Sequence, residues 1–270
     1  MKTFDSIKNL FGKETFKHES AIIVNSIPKA GTNLLMNIAL AIPNTKLKGD
    51  FSLAAELSNP QDQLNYVLDK IQSLDPGSVY TGHVPFSPLF SDWLKKNNVR
   101  QLFIYRDPRD YAVSLYHYIM RNAEPRHAYY ELMNDLGNDN ARLMAAICGT
   151  GTPIPGKTSS PEFIPGIQDV FEINYGWLND GNTFSLSYEQ LINQPKGIAA
   201  IGNMLDFLGF KSGAERDRIG EIYEKGIDPK KSHTFRKGEA GTWEKEFSSE
   251  HIAAFKKEAD EILKKYGYSW

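Results

Sequence analysis

The chain has 270 residues, 41% of them hydrophobic and 12% aromatic, enough for one large α/β domain or two small ones with a sizeable core. A net charge of −2 gives no global attraction to nucleic acid or an anionic membrane, so any anion site has to be built locally. The single cysteine, Cys148, excludes an internal disulfide and fits a reducing cytoplasm, the charged N-terminus lacks a signal-peptide core, and no apolar run approaches about 18 residues, so no membrane span is expected.

Ala21 to Val24 is an apolar run that predicts a buried parallel strand. A small polar turn carrying Lys29 and Gly31 follows, then an apolar-periodic helix from Thr32. Strand, tight loop and helix start make an anion site, because the first helical N–H groups have no intrahelical partners. Lys29 adds a positive charge there, and Gly31 lets the backbone approach closely. The loop is not a Walker A sequence: its lysine precedes the glycine, and Ser26 stands where a second glycine belongs.

Gln61 to Leu74 has helical spacing at Leu64, Val67, Leu68 and Ile71, closed by Asp75-Pro76-Gly77. Ser78 to Gly82 is a short strand ending at His83, Pro88 to Asn97 a helix, and Val99 to Tyr105 the second strong strand. Arg106 then lies at a strand's carboxyl end, where open α/β sheets bind ligands. Asp107 is a good N-cap, Pro108 suits the first helical position, and Asp110 favours the helix dipole. The 3.6-residue period puts Asp107, Asp110, Tyr111 and Ser114 along one face of that helix.

Residues 149–166 are dense in Gly, Pro, Ser and Thr and read as a long surface loop, the kind that covers a site. A domain linker is the alternative, but the alternating pattern resumes beyond it. Thr183 to Ser187 reads as a strand, with helices near Lys196 to Leu208 and Ser249 to Tyr266. The alternation predicts one α/β domain over residues 1–270, a mostly parallel sheet flanked by helices, with residues 1–18 as an extension.

Three strings resemble the PAPS-dependent sulfotransferases of the soluble, small-molecule type (PAPS is 3′-phosphoadenosine 5′-phosphosulfate). Pro28, Lys29, Gly31, Thr32 and Leu35 match the 5′-phosphosulfate loop. Arg106, Asp107, Pro108, Asp110 and Ser114 match the 3′-phosphate motif. Arg236, Lys237, Gly238, Gly241, Trp243 and Phe247 match the C-terminal segment.

The resemblance implies a fold related to P-loop kinases and a co-substrate, PAPS, that leaves as 3′-phosphoadenosine 5′-phosphate (PAP). It implies that Lys29, Ala30, Gly31, Thr32, Asn33 and Leu34 hold the 5′-phosphosulfate. Arg106, Ser114, Arg236, Lys237 and Gly238 would hold the 3′-phosphate, Ser114 would also restrain Lys29, and Tyr188 would lie near adenine. Trp243 and Phe247 are expected to anchor their loop to the body of the protein.

Sulfuryl transfer is an in-line displacement, so catalysis rests on positioning and electrostatics, with a base for the acceptor proton. His83, in Thr81-Gly82-His83-Val84-Pro85, resembles the histidine base of the family's Thr-His-x-Pro segment. The departures are Thr81, where many such enzymes carry lysine, and Gly82 in place of threonine. Of the other histidines, His18 and His251 read as solvated, His117 and His127 as structural, and His233 as a nucleotide contact; Glu56 is a rival base. No His/Cys cluster has metal spacing, and no metal is expected. Phe86, Phe90, Tyr118, Tyr129, Tyr130 and Phe163 are candidate walls for a small alcohol, phenol or amine acceptor. No nucleic-acid or membrane partner is expected, and the oligomeric state stays open, a homodimer included. The competing readings are a P-loop nucleotide kinase and a non-catalytic nucleotide-binding relative.

Overall fold

The computed structural model describes residues 16–57, 59–121, 127–151, 163–228 and 238–270. A five-stranded, all-parallel sheet runs in the order β2-β3-β1-β4-β5. Its strands are β1 Ala21–Ser26, β2 Lys46–Phe51, β3 Ser78–Gly82, β4 Val99–Tyr105 and β5 Thr183–Ser187.

Both faces are covered, as a parallel sheet requires. Along β1 the alternation sends Ala21 and Ile23 into one core, with Phe103, Tyr111 and Phe171, and Ile22 and Val24 into the other, with Leu35, Ile38 and Leu205. All of these side chains are buried. At about 25 cal/mol per Å² of apolar surface, this two-sided burial is the main stabilising term.

The helices that matter for the site are α1 (Thr32–Ala41), which follows β1, and α2 (Pro108–Met120), which follows β4. α3 (Asp139–Cys148) and α4 (Tyr188–Ile192) come next, and α5 (Trp243–Glu246) and α6 (Ser249–Lys265) close the chain. β1 hands the chain toward β2 on one side, whereas β4 hands it toward β5 on the other. The two loops therefore diverge at the carboxyl ends of neighbouring strands and open a crevice between them, the ordinary ligand position in an open α/β sheet.

Candidate active site

The loop after β1 is shaped by backbone conformation. Lys29 has φ 66° and Gly31 φ 113°, left-handed values that glycine tolerates and lysine rarely adopts. The Ala30 amide closes a turn onto the Ile27 carbonyl at 3.1 Å. Gly31 is the N-cap of α1 and supplies no side chain to the helix, so no N-cap side chain stands between the helix start and an incoming anion. Thr32 turns its hydroxyl back to Ser26 Oγ at 2.6 Å.

Lys29 Nζ lies 3.5 Å from the centroid of the Tyr118 ring. Burial, reinforced by Arg121 and Arg106, lowers its pKa to about 8. Arg121 sits 4.8 Å from the same ring. A lysine held on an aromatic face among other cations gains from the arrival of an anion.

His83 is fixed from β1. Its Nδ1 is 3.1 Å from the Ser26 carbonyl and 3.0 Å from Ser26 Oγ. A carbonyl only accepts, so Nδ1 carries the proton and Nε2 keeps the lone pair. Burial lowers the His83 pKa, and Lys29 pushes the same way against the Ser26 carbonyl and Asp50, so the ring is neutral at pH 7. Asn25, fully buried, accepts from the Val84 amide at 2.8 Å and donates to the Val84 carbonyl at 2.9 Å. This cross-link sets the chain just beyond His83.

Arg106 projects from the end of β4 and stacks over Tyr188, 4.5 Å from ring centroid to Cζ. Tyr188, the first residue of α4, also packs on the glycine loop: a Cβ on Gly31 would come within 2.9 Å of Tyr188 Cδ2. Tyr188 thus joins the loop to Arg106. Arg106 Nη2 donates to the Glu239 carbonyl at 2.8 Å, which brings the segment around Gly238 (φ 68°) to the same place. The Arg106 Nε–H is buried without a partner, an orphaned donor of the kind a phosphate oxygen satisfies.

Asp110 is fully buried on α2 and accepts from the Gly241 amide (2.7 Å), Thr242 Oγ1 (2.8 Å) and the Trp243 amide (3.0 Å). Arg109 is buried rather than solvated, paired with Asp107 at 2.7 Å and laid 4.1 Å from the Trp243 ring centroid. Trp243 and Phe247 do anchor their segment, against each other, Trp270 and Phe255. Ser114 lies half-buried on α2, one turn beyond Asp110. Arg236, Lys237 and His233 lie outside the described residues.

The solvated reading of His251 and His18 needs correction. His251 is buried, its Nε2 3.0 Å from the Asn140 carbonyl, and it closes the capping box of α6 with Ser248. His18 is half-buried, with Nε2 2.8 Å from the Pro43 carbonyl and its ring edge-on to Phe210. His117 pairs with Glu246 at 2.9 Å, and His127 packs against Tyr118 and Tyr129. Glu56 is exposed in a 3-10 turn. Of the aromatic wall candidates, Phe90, Tyr129 and Phe163 are buried. Phe90 is sandwiched by Trp93 and Trp177, and Phe86 meets Trp177 edge-on.

The stems of the 149–166 loop are pinned by Thr150, whose amide donates to the Ile164 carbonyl and whose Oγ1 accepts from the Ile164 amide. Residues 152–162 lie outside the described residues. Sequence reasoning missed Asn25 and Ser26; the signal was two polar residues directly after an apolar strand run. No helix among the described residues is long and apolar enough to cross a membrane.

Comparison with known proteins agrees with this geometry. A curated flavonol 3-sulfotransferase from Flaveria bidentis is 25% identical, over 94% of this chain and 85% of that protein. Among solved structures, mouse sulfotransferase SULT7A1 complexed with PAP is similar with a TM-score of 0.58 and 19% identity, covering 92% of this chain and 86% of the other. A retinol dehydratase in complex with androsterone and inactive cofactor PAP gives 0.55 and 17%, over 93% and 82%. The family model of the sulfotransferase domain matches residues 19–267. The nucleotide-kinase alternative is therefore set aside: the chain belongs to the sulfotransferase family.

Proposed function

We propose that the enzyme moves the sulfuryl group of PAPS to the hydroxyl of a small aromatic acceptor, with His83 as the base and with Lys29 and the α1 amides at the leaving group. The observation that carries this reading is the Nδ1 contact to the Ser26 carbonyl, which leaves the Nε2 lone pair for the acceptor proton.

His83 Nε2 takes the hydroxyl proton as the acceptor oxygen bonds to sulfur. The sulfur–oxygen bond to the 5′-phosphate breaks, and its electron pair stays on the phosphate oxygen. Lys29 and the start of α1 over Thr32, Asn33 and Leu34 face that growing charge. Lys29 leaves the Tyr118 ring for the phosphosulfate, which restores a fully cationic ammonium.

Arg106, with its orphaned Nε–H, and Ser114 hold the 3′-phosphate, and the family motif assigns Arg236, Lys237 and Gly238 to the same group. Tyr188, between Gly31 and Arg106, supports the adenosine. The curated relative's name points to a flavonol, a phenolic acceptor, and the half-buried rings of Tyr118 and Phe86 suit an aromatic acceptor.

Transfer of labelled sulfuryl from PAPS to a panel of phenols and alcohols, by the wild-type enzyme and His83→Ala, tests the reading. Turnover by wild type, lowered about 10²–10⁴-fold in His83→Ala, is the expected result. Undiminished turnover by His83→Ala removes His83 as base.

A further inference from the structure

β2 and β3 run in parallel register, Asp50 opposite Thr81 and Phe51 opposite Gly82. Thr81 holds the position at which the resemblance places a lysine in many small-molecule sulfotransferases. Here its hydroxyl donates to Asp50 Oδ2 at 2.8 Å. Ser52 donates twice more, from its amide to Oδ1 at 2.9 Å and from Oγ to Oδ2 at 2.9 Å.

These three contacts fix the carboxylate, and every donor is neutral. A carboxylate accepts about four hydrogen bonds, so one site stays open. Among the described residues, no lysine or arginine forms an ion pair with Asp50. The side chain is exposed near the carboxyl end of β2, the end of the parallel sheet at which the crevice opens.

Alternation along β3 carries Thr81 and His83 to one side of the sheet, and Asp50 joins that side by bonding Thr81. Asp50 is also near enough to His83 to oppose the fall in its pKa. The neighbourhood of His83 therefore carries an oriented anion where the resemblance would place a lysine's cation.

We propose that Asp50 is a specificity-determining residue that selects acceptors bearing an ammonium group beside the reacting hydroxyl, phenolic amines being the chemical class. The assignment rests on the reading of His83 as the base facing the acceptor. Thr81 and Ser52 act as positioning residues for the carboxylate. An ammonium completes its shell with a charge-assisted bond, whereas an uncharged phenol of the same shape leaves that place to water.

The test titrates tyramine and 4-ethylphenol, which share the phenol and differ at the ammonium, into PAP-saturated enzyme. Wild type, Asp50→Asn and Thr81→Lys are compared. Wild type is expected to bind tyramine about tenfold more tightly than 4-ethylphenol. Asp50→Asn brings the ratio toward one, and Thr81→Lys, which sets a cation against the carboxylate, takes it to one or below. A wild-type ratio of one or less, or a preference that survives Asp50→Asn, overturns the assignment. PAP affinity, read in a preceding titration of each protein, separates the two claims. A protein that binds PAP but shows no amine preference refutes Asp50 alone, and one that ignores PAP overturns the nucleotide reading and this assignment with it.

Discussion

Asp110 and Thr242, 132 positions apart in sequence, are joined by a buried 2.8 Å hydrogen bond. The same carboxylate takes the Gly241 and Trp243 amides, and Arg106 Nη2 stands 3.6 Å away. The helix after β4 and the C-terminal segment are thereby locked together around Arg106. Asp110 serves the site through this junction rather than through the helix dipole.

Replacing Asp110 by Ala leaves three donors without their acceptor and a buried guanidinium with a weakened partner. We expect a loss of about 3–5 kcal/mol in stability and weaker PAP binding, with Asp110→Asn intermediate. Thermal melts and calorimetric titration with PAP measure both effects. An unchanged melting temperature in Asp110→Ala would contradict the junction.

His83→Ala is expected to lower turnover by about 10²–10⁴-fold, the usual worth of a general base, while PAP affinity stays close to wild type. Because burial depresses the His83 pKa, the acid limb of the pH–rate profile lies below the ordinary histidine value. The neutral, competent form is present above that limb and is lost as pH falls through it. A limb above pH 7 would identify a different base.

Lys29, with a pKa near 8 in the folded protein against 10.5 ordinarily, is partly neutral at pH 8.5. PAP brings an anion to it and raises its pKa again, so binding at that pH takes up a proton. Calorimetry in buffers of different ionisation enthalpy reads the uptake, and Lys29→Met abolishes it. The same shift means that the unfolded state binds more protons between about pH 8 and 10.5, so this group's contribution to stability improves as pH rises through that window. Proton release on PAP binding would refute the assignment.

Gly31→Ala meets two obstacles, a φ of 113° and a contact of 2.9 Å with Tyr188. The strain is worth about 1–3 kcal/mol, and relieving it displaces Tyr188 from Arg106. Weaker PAP binding together with a lower melting temperature is expected. Tyr188→Leu should reproduce the binding loss through the missing cation–π contact, without the backbone strain. Wild-type PAP affinity in both variants would separate Tyr188 from the nucleotide site.

Much of the framework is legible in the sequence because it is local. Strands β3, β4 and β5 follow the apolar runs to the residue, and Asp107 and Pro108 open α2 as their chemistry dictates. β1 extends two residues beyond its apolar run, since Asn25 and Ser26 are polar and buried in hydrogen bonds. β2 was not expected: KLKGDF is an edge strand whose lysines suit solvent and offer no period-two apolar pattern. The helix predicted over Gln61 to Leu74 ends at Lys70, because the Tyr80 hydroxyl accepts from the Gln72 and Ser73 amides and donates to the Ser73 carbonyl.

In the site, Lys29, Gly31 and Arg106 are legible because strand ends and helix starts betray them. The Ser26–His83 contact, the Asp50–Thr81 pair and the Asp110–Thr242 bond link separate segments of the chain. They arise from the parallel register and helix docking, which no local pattern encodes. His251 misled because it sits in an amphipathic helix, yet its place at the third position of a capping box turns it inward.

The most direct test of the central claim is calorimetric titration of the metal-free enzyme with PAP, with adenosine 5′-phosphate and Mg·ATP as comparisons. At about 100-fold excess over Kd, a ligand adds roughly 2.7 kcal/mol of stability, so a parallel melt checks the same result. We predict tight binding of PAP that needs no metal and is far weaker when the 3′-phosphate is absent. Equal affinity for adenosine 5′-phosphate, or binding of Mg·ATP in preference to PAP, would contradict the account.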